Sequence, residues 1–223
     1  MKVAICLSGH FRKFKETFPS IDSHILKKYD CDVFIHTWDK LGYSCRYKTD
    51  QTVSSYNVNE IINLYKPKKI VAESEKFVEE LKRQGDQYAP HLKNEPKHVG
   101  HMASMFYKIY AANELMKLHT LETGAKYDVI IRLRPDLFIN HFNMPIINNS
   151  IFIPAMYSGE NWYNDQIAIG SQNAMDLYCS MFFDMPEYFR NKGEFYPEKF
   201  VANCMRKKNL KVEFCDINYY IYR

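Results

Sequence analysis

The first twelve residues, MKVAICLSGHFR, decide the fold class of this chain. Lys2–Leu7 is a short apolar run that ends in Ser8-Gly9-His10, which predicts a buried strand followed by a tight turn. Apolar residues at helical spacing then run from Phe14 to Tyr29, and Pro19 interrupts them. A buried strand that leads into a helix indicates an α/β protein.

The alternation of strands and helices continues along the rest of the chain. Further strands are predicted at Asp32–His36, Lys69–Ala72, Asp128–Ile139, Ser150–Ala155, Gln166–Ile169 and Lys211–Tyr222. Further helices are predicted at Asn59–Tyr65, Glu75–Arg83, Ala103–Leu121, Ala174–Phe183 and Glu198–Lys207. We therefore expect an α/β fold: a single three-layer domain over residues 1–223, with a mostly parallel central sheet flanked by helices.

Two segments show no periodicity of either kind. Lys40–Asn57 is polar and rich in tyrosine, which predicts a long loop. Gly85–Gly100 contains Pro90 and Pro96, and it is a candidate mobile loop.

The composition argues against several classes of protein. A net charge of +4 is too mild for a dedicated nucleic-acid binder, and no apolar run approaches the roughly 20 residues that span a bilayer. The scattered lysines leave open a weak attraction to phosphates or to an anionic membrane surface. The 17 Tyr and 15 Phe suit a domain with a ligand cleft, or else reflect drift in an AT-rich genome.

The six cysteines stand far apart without a CxxC pair, which argues against a structural zinc site. The sequence begins directly with a strand and lacks a hydrophobic signal region. These features predict free thiols in a reducing, cytoplasmic compartment, which is the host cytoplasm if the chain is viral.

Ligands of open parallel sheets bind beyond the carboxyl ends of the strands, which selects Ser8–Arg12, Thr37–Asp39 and Arg134–Asp136. The Ser8-Gly9-His10 turn would offer backbone N–H groups and a helix end to an anion. Arg12 could add a two-pronged hydrogen bond to a phosphate or a base. The alternative is an ordinary turn with an arginine at the surface.

Thr37, Trp38 and Asp39 close the second predicted strand. The Asp39 carboxylate could accept the N3–H of a uracil-type base or a ribose hydroxyl, with Trp38 stacking on the base. The alternative is a helix cap beside a partly buried tryptophan.

The segment YDVIIRLRPDLF, residues 127–138, places Arg132, Arg134 and Asp136 in an otherwise apolar strand. Buried charges are costly, so these side chains must pair, meet a ligand or lie at the rim of the sheet. Asp136 follows a proline that ends the strand ladder, and a divalent cation that bridges a diphosphate needs such a carboxylate. The alternative is an internal Arg–Asp pair.

Asp165 lies at the start of another predicted strand, in WYNDQIAIG, residues 162–170. An exposed carboxylate there could act as a general base or position an acceptor hydroxyl. The alternative is a lone aspartate in a turn.

These segments, in this order, resemble small GT-A-like glycosyltransferases of the kind found in bacterial polysaccharide clusters and large DNA viruses. The resemblance extends over nearly the whole chain, and its more specific parts are RLRPDLF and NDQIAIGS. The matching stretches are ICLSGHFR (5–12), DVFIHTWD (32–39), SMFYKIYAAN (104–113), YDVIIRLRPDLF (127–138) and NDQIAIGS (164–171).

The resemblance implies a UDP- or GDP-linked sugar as donor, a glycan as acceptor, and Mn²⁺ or Mg²⁺. Asp136 falls where such enzymes carry the metal-binding DxD motif, but Arg134 replaces the first Asp and could itself neutralise the diphosphate. Asp165 takes the place of the catalytic carboxylate on the acceptor side. The residues expected to bind the donor are Ser8, Gly9, His10, Arg12, Thr37, Asp39, Arg132 and Arg134.

Two other functions remain open on the sequence. A nucleotidyltransferase of similar sheet layout usually carries a Gly-rich, basic signature after its first strand, and SGHFRKF matches that poorly. A non-catalytic module that binds nucleotide-sugars would need neither Asp136 nor Asp165.

Overall fold

The computed structural model describes residues 1–39, 57–74, 76–92, 99–191 and 193–222. The strands in these ranges are β1 Lys2–Ser8, β2 Asp30–Trp38, β3 Lys69–Glu73, β4 Val129–Leu133, β5 Leu137–Phe142, β6 Ile151–Pro154, β7 Ile167–Gly170, β8 Val212–Cys215 and β9 Ile217–Ile221. The helices are α1 Phe14–Ile21, α2 Val58–Tyr65, α3 Lys76–Tyr88, α4 Val99–Thr123, α5 Gln172–Cys179, α6 Met185–Arg190 and α7 Pro197–Lys207. Shorter turns are a π-helix at Asp22–Leu26 and 3₁₀-helices at Pro90–Leu92 and Ser180–Asp184.

Seven strands form one sheet in the order β3-β2-β1-β4-β7-β6-β8. β1 is parallel to β2 and β4, β2 is parallel to β3, and β6 is parallel to β8. β7 is antiparallel to both of its neighbours. The predicted α/β fold with a mostly parallel central sheet flanked by helices is therefore confirmed.

The alternation of side chains along β1 divides the core between the two faces of the sheet. Ala4 and Cys6 pack with Phe106 and Ile109 of α4 on one face. Val3, Ile5 and Leu7 pack on the other face, where α1 and the β5–β9 pair cover them. Because both faces of β1 are buried, its sequence is continuously apolar. No helix in the described part of the chain is long and apolar enough to cross a membrane.

The segment predicted as one strand, Asp128–Ile139, is two strands in two sheets. β4 ends at Leu133, and β5 begins at Leu137 and pairs with β9 in a separate two-stranded sheet. Pro135 lies in the turn between them, and its missing N–H cannot extend the ladder of β4. The prediction was wrong here because the apolar run continues across the turn.

The loop predicted to begin at Gly85 also begins later, because Gly85 lies inside α3. A Cβ at Gly85 would lie 3.3 Å from the backbone nitrogen of Gly100, so the missing side chain lets α3 approach the start of α4. Residues 93–98 of the predicted loop lie outside the described residues. So does most of the predicted loop at Lys40–Asn57, whose last residue, Asn57, caps α2 by accepting the Asn59 N–H at 2.9 Å.

Two hydroxyls of α1 hold the turn and the strand that follow β4. Thr17 Oγ1 donates to the Pro135 carbonyl at 2.7 Å, and the Ile139 N–H donates to Ser20 Oγ at 3.0 Å. Ser20 is buried and Ile139 is fully buried, so water cannot replace this hydroxyl as the acceptor.

Ser20→Ala is therefore expected to lower the free energy of unfolding by about 1–3 kcal/mol, because the buried Ile139 N–H loses its acceptor. Urea unfolding followed by circular dichroism measures the change. The control is Ser23→Ala on the exposed side of the same segment, expected to change stability by no more than about 0.5 kcal/mol. Equal effects of the two substitutions would contradict the anchoring role of Ser20.

Candidate functional site

The carboxyl ends of β1 and β4 lie side by side at the point where the chain changes direction across the sheet. From β1 the chain builds β2 and β3 on one side, and then returns to β4 on the other side of β1. A crevice at such a point is the usual ligand site of an open α/β sheet. Here a hydrogen bond of 3.2 Å from Arg132 Nε to Ser8 Oγ joins the two strand ends.

Arg132 is only 1% exposed although it carries a charge. Its guanidinium donates to the Ser8 hydroxyl and to the Asp165 carbonyl, and both acceptors are neutral. Among the described residues, no carboxylate forms an ion pair with it. Burial lowers the pKa of Arg132, which means that the site opposes this charge. Nearby groups such as Asp165 favour the charged form of Arg132, and an anionic ligand close by would stabilise it further.

Arg134 and Asp136 form an internal ion pair at the mouth of the same crevice. Arg134 Nε lies 3.0 Å from Asp136 Oδ1, and a terminal guanidinium nitrogen lies 2.7 Å from Oδ2. Burial by itself would lower the pKa of Arg134, but the Asp136 carboxylate outweighs it and the pKa is raised. The geometry thus matches the alternative of an internal Arg–Asp pair, with the Arg134 side chain still 21% exposed.

The same pair bears on the expected Mn²⁺ or Mg²⁺. Both oxygens of Asp136 accept from Arg134, and within the described ranges no group of three or more His, Cys, Asp or Glu side chains could hold a metal ion. In this arrangement the residues therefore do not form a site that could bind a divalent cation. The metal role of Asp136 stays a prediction, and it would require Arg134 to release at least one oxygen.

Asp165 lies two residues before Ile167, the first residue of β7, at the edge of the sheet where β4 ends. β7 is antiparallel to β4, so its first residue, Ile167, pairs with Leu133, the last residue of β4. Asn164 fixes this turn, because its Oδ1 accepts the N–H groups of Gln166 and Ile167 at 2.8 and 3.3 Å. Asp165 is 4% exposed, which is more enclosed than the open position expected from the sequence.

Asp39 lies just beyond the end of β2, and one of its carboxylate oxygens accepts no hydrogen bond from the described residues. Its N–H donates to the Glu73 carbonyl at 2.8 Å, which holds it beside the end of β3. Its Oδ1 is buried and has no hydrogen-bond partner in the described part of the chain. Since a buried carboxylate oxygen is normally bonded, Asp39 is placed to accept from a ligand.

Trp38 does not take the stacking position considered for it. The ring is 2% exposed, and Lys108 Nζ lies 3.4 Å from the ring centre. The ring therefore packs in the core against a cation from α4, instead of facing a base.

The turn after β1 is tied to β2 and does not open directly into a helix. Gly9 has φ +117°, a backbone conformation that glycine tolerates, and its N–H donates to the His36 carbonyl at 3.3 Å. The Thr37 hydroxyl donates to the Gly9 carbonyl at 2.8 Å. α1 begins only at Phe14. The Gly9 N–H and the Thr37 hydroxyl thus both form bonds within the protein, and the roles of these residues toward a donor stay predictions.

His10 and Arg12 are partly buried in the same stretch. The structure brings Ser8, Arg132, Arg134 and Asp165 together around the crevice, while Asp39 lies one strand away. Their roles toward a donor stay predictions.

Lys108 and Glu73 are site residues that the sequence analysis missed. Lys108 is fully buried, and its Nζ donates to the Thr37 carbonyl at 2.8 Å and to Glu73 at 2.7 Å. Burial lowers the pKa of Lys108 to about 8, against the opposing effect of Glu73. The burial of Lys108 could have been predicted from the sequence, because it lies four residues from both Ser104 and Ala112 on the buried face of α4.

The sequence matches a family described as "Domain of unknown function (DUF7796)" over residues 1–190. The chain belongs to the DUF7796 family. No curated protein matches the sequence.

Three solved structures resemble this DUF7796 chain in fold. They are the apo form of the glycosyltransferase GlyE from Streptococcus pneumoniae TIGR4, a glycosyltransferase involved in the glycosylation of the major capsid of PBCV-1, and the apo form of mouse xyloside xylosyltransferase 1. In that order, the identities are 9%, 12% and 11% and the TM-scores are 0.48, 0.43 and 0.48. The matches cover 95%, 97% and 96% of this chain, and 44%, 83% and 84% of the others, so the chain spans less than half of the first.

His36 adds a pH-sensitive group beside Lys108 and Glu73. It is 4% exposed, its Nδ1 has no partner among the described residues, and its ring meets Tyr107 at 5.6 Å. Burial and the neighbouring Lys108 lower the pKa of His36 to about 4, against the opposing effect of Glu73. Burial alone would raise the pKa of Glu73, but its bonds from Lys108 and Tyr107 lower it overall.

The unfolded chain binds a proton at His36 near pH 6.5, well above the folded value, so stability falls as the pH drops through this window. Between pH 6.5 and 5, where Glu73 stays ionised in the folded chain, we expect a loss of about 1.5 kcal/mol from His36. His36→Asn should remove that loss in urea titrations at the two pH values. His91→Asn, which changes an exposed histidine, should retain it, and an unchanged pH dependence in His36→Asn would contradict the assignment.

Proposed function

We propose that this chain, as one domain over residues 1–223, transfers a sugar from a UDP- or GDP-linked donor to a glycan acceptor. The observation that carries the proposal is a line of polar groups across the carboxyl edge of the sheet. Asp39 follows β2, Ser8 ends β1, Arg132 and Arg134 belong to the end of β4, and Asp165 precedes β7. Four adjacent strands cover three strand spacings, about 14 Å, which suits an elongated ligand.

The Asp39 end of the line fits the nucleoside. Its buried Oδ1 has no hydrogen-bond donor among the described residues, and a base N–H or a ribose hydroxyl would supply one. The Asp39 N–H donates to the Glu73 carbonyl, and Lys108 Nζ donates to the Thr37 carbonyl two residues earlier. These bonds fix the backbone that carries the Asp39 carboxylate.

The centre of the line fits the diphosphate. Two guanidinium nitrogens of Arg134 bond Asp136, and its remaining N–H groups belong to a side chain that is 21% exposed. Arg132 adds a buried positive charge, which acts at low local dielectric and is stronger there than in water. Guanidinium groups would thus neutralise the charge that develops on the leaving diphosphate.

The Asp165 end fits the acceptor. A carboxylate beside the diphosphate position can accept the proton of an attacking hydroxyl, or align that hydroxyl for attack. The backbone of Asp165 is held by Arg132 and by the Asn164 turn, so its side chain starts from a fixed position.

We also propose that the reaction takes place in the cytoplasm. The support is that the described cysteines are free thiols: Cys6, Cys31, Cys179, Cys204 and Cys215. Free thiols are usual in reducing compartments.

Donor binding tests the proposal directly. Wild-type protein titrated with UDP- and GDP-linked sugars in a calorimeter is expected to bind at least one of them. The double variant Arg134→Gln/Asp136→Asn keeps a hydrogen-bonded pair without the cation, and it should weaken that binding by about 1.5–3 kcal/mol. The control Arg83→Gln/Glu80→Gln removes an exposed pair on α3 and should bind like wild type. A wild-type chain that binds neither a nucleotide-sugar nor a nucleoside diphosphate would refute the proposal.

Asp165→Asn separates transfer from binding. With the donor found by calorimetry, release of nucleoside diphosphate in the presence of acceptor should fall by about 10²–10⁴-fold, because the positioned base is lost. Donor affinity should stay near the wild-type value. Asp216→Asn, which changes an exposed aspartate paired with His141, is the control and should turn over normally. Normal turnover in folded Asp165→Asn would show that Asp165 is not the base.

A further inference from the structure

Two exposed aromatic rings lie together on the surface, and one of them, Trp162, precedes Asp165 by three residues in the sequence. Trp162 is 40% exposed and Tyr196 is 43% exposed, and their ring centres are 5.4 Å apart. Lys199 Nζ lies 4.9 Å from the Trp162 ring and 5.2 Å from the Tyr196 ring. The pair, called here the aromatic platform, presents apolar faces to solvent beside a polar group.

The loop that carries Trp162 is held in place by backbone bonds. Gly159 and Trp162 exchange two hydrogen bonds, at 2.7 and 3.4 Å. The Tyr163 N–H donates to the Glu198 carbonyl of α7 at 3.1 Å, and the Asn164 N–H donates to Ser158 Oγ at 3.0 Å. The platform is therefore preorganised, which reduces the entropy lost when a ligand binds.

A cavity of about 490 Å³ adjoins the platform. Lys199 connects them, because it lines the cavity and its Nζ lies near both rings. This volume falls in the usual range for small-molecule sites. Its lining is rich in amide and carboxylate side chains, among them Asn161, Asn191, Asn203 and Glu194. Such groups donate to and accept from hydroxyls.

The charges of the cavity are balanced and largely paired. The lining contains Asp184, Glu187 and Glu194 with Lys199, Arg206 and Lys207. Lys199 bonds Glu194 at 2.7 Å, and Lys207 bonds Glu187 at 2.6 Å and Asp184 at 3.3 Å. A balanced lining gives no net attraction to a polyanion, so it favours an uncharged polyhydroxylated ligand over a nucleic acid or a phosphate.

We propose that the aromatic platform and this cavity bind a neutral oligosaccharide, the acceptor glycan; its role as acceptor rests on the proposed function. The apolar C–H face of a sugar ring packs on Trp162 and Tyr196, and the ring hydroxyls bond the amides and carboxylates of the cavity. Trp162 lies three residues before Asp165, which is at most about 11 Å of chain. A glycan on the platform can thus extend one end toward the Asp165 carboxylate.

The two tryptophans of the chain make the test specific. Trp38 is 2% exposed and Trp162 is 40% exposed, so a ligand-induced change in tryptophan emission reports on Trp162. Wild-type protein without donor is applied to a printed array of neutral and acidic oligosaccharides, and the retained glycans are titrated by fluorescence and calorimetry. We expect neutral glycans to bind and to shift the emission.

Trp162→Ala should weaken glycan binding by about tenfold or more, through loss of a stacked ring. Asn203→Ala, at an exposed position of the cavity, should weaken it independently of the rings. Phe183→Ala is the matched control, because Phe183 is 59% exposed, packs on Tyr110 of α4 and is not among the residues that line the cavity. Thermal unfolding checks that each variant is folded. Retention of no glycan, retention of acidic glycans only, or wild-type affinity in Trp162→Ala would each overturn the proposal.

The two proposals fail in different ways. A chain that binds glycans on the platform but no nucleotide-sugar would refute the transferase function and leave the glycan site standing. A chain that binds nucleotide-sugars, with Trp162→Ala unchanged on glycans, would refute the platform alone.

Discussion

Arg132 lies inside the sheet with 1% of its surface exposed, and its guanidinium bonds the last residue of β1 and the carbonyl of Asp165, two residues before β7. Three strand ends therefore depend on one buried cation. Burial of this charge is unfavourable, and hydrogen bonds to neutral acceptors offset the loss of hydration only in part. An apolar residue at this position would be buried at a lower cost in free energy. The presence of a buried charge at the usual ligand position of the sheet is the main physical reason to look for an anionic ligand there.

Lys108 serves the other half of the crevice in a comparable way. It reaches from α4 to the Thr37 carbonyl and to Glu73, so it joins the ends of β2 and β3. The two buried cations differ, because Lys108 has a carboxylate partner and Arg132 has neutral ones. Lys108 therefore fixes the strand ends that lie beside Asp39.

The layout of the sheet could be predicted because buried parallel strands are apolar throughout, as Lys2–Leu7 is. Pro135 indicated the end of the β4 ladder, but the pairing of β5 with β9 in a second sheet has no local signal, because apolar residues stand on both sides of the turn. The ends of the strands could also be located from the sequence, and this selected Asp39 and Asp165 as candidate site residues. Contacts between distant elements could not: the burial of Trp38 under Lys108 depends on how α4 crosses the sheet, and no local pattern encodes that crossing. The Arg134–Asp136 pair had been an open alternative, because a spacing of two residues permits both pairing and ligand contact.

The order of charges along the crevice favours one class of ligand. A carboxylate stands at each end, at Asp39 and Asp165, and Arg132 and the Arg134–Asp136 ion pair stand between them. A plain anion would meet repulsion at both ends, and a neutral ligand would leave the buried charge of Arg132 without an anion. A nucleotide-sugar is anionic only at its centre, with hydrogen-bond donors on the nucleoside and on the sugar side. Electrostatic complementarity of this kind sets register as well as affinity, because a ligand displaced by one strand would place its diphosphate against a carboxylate.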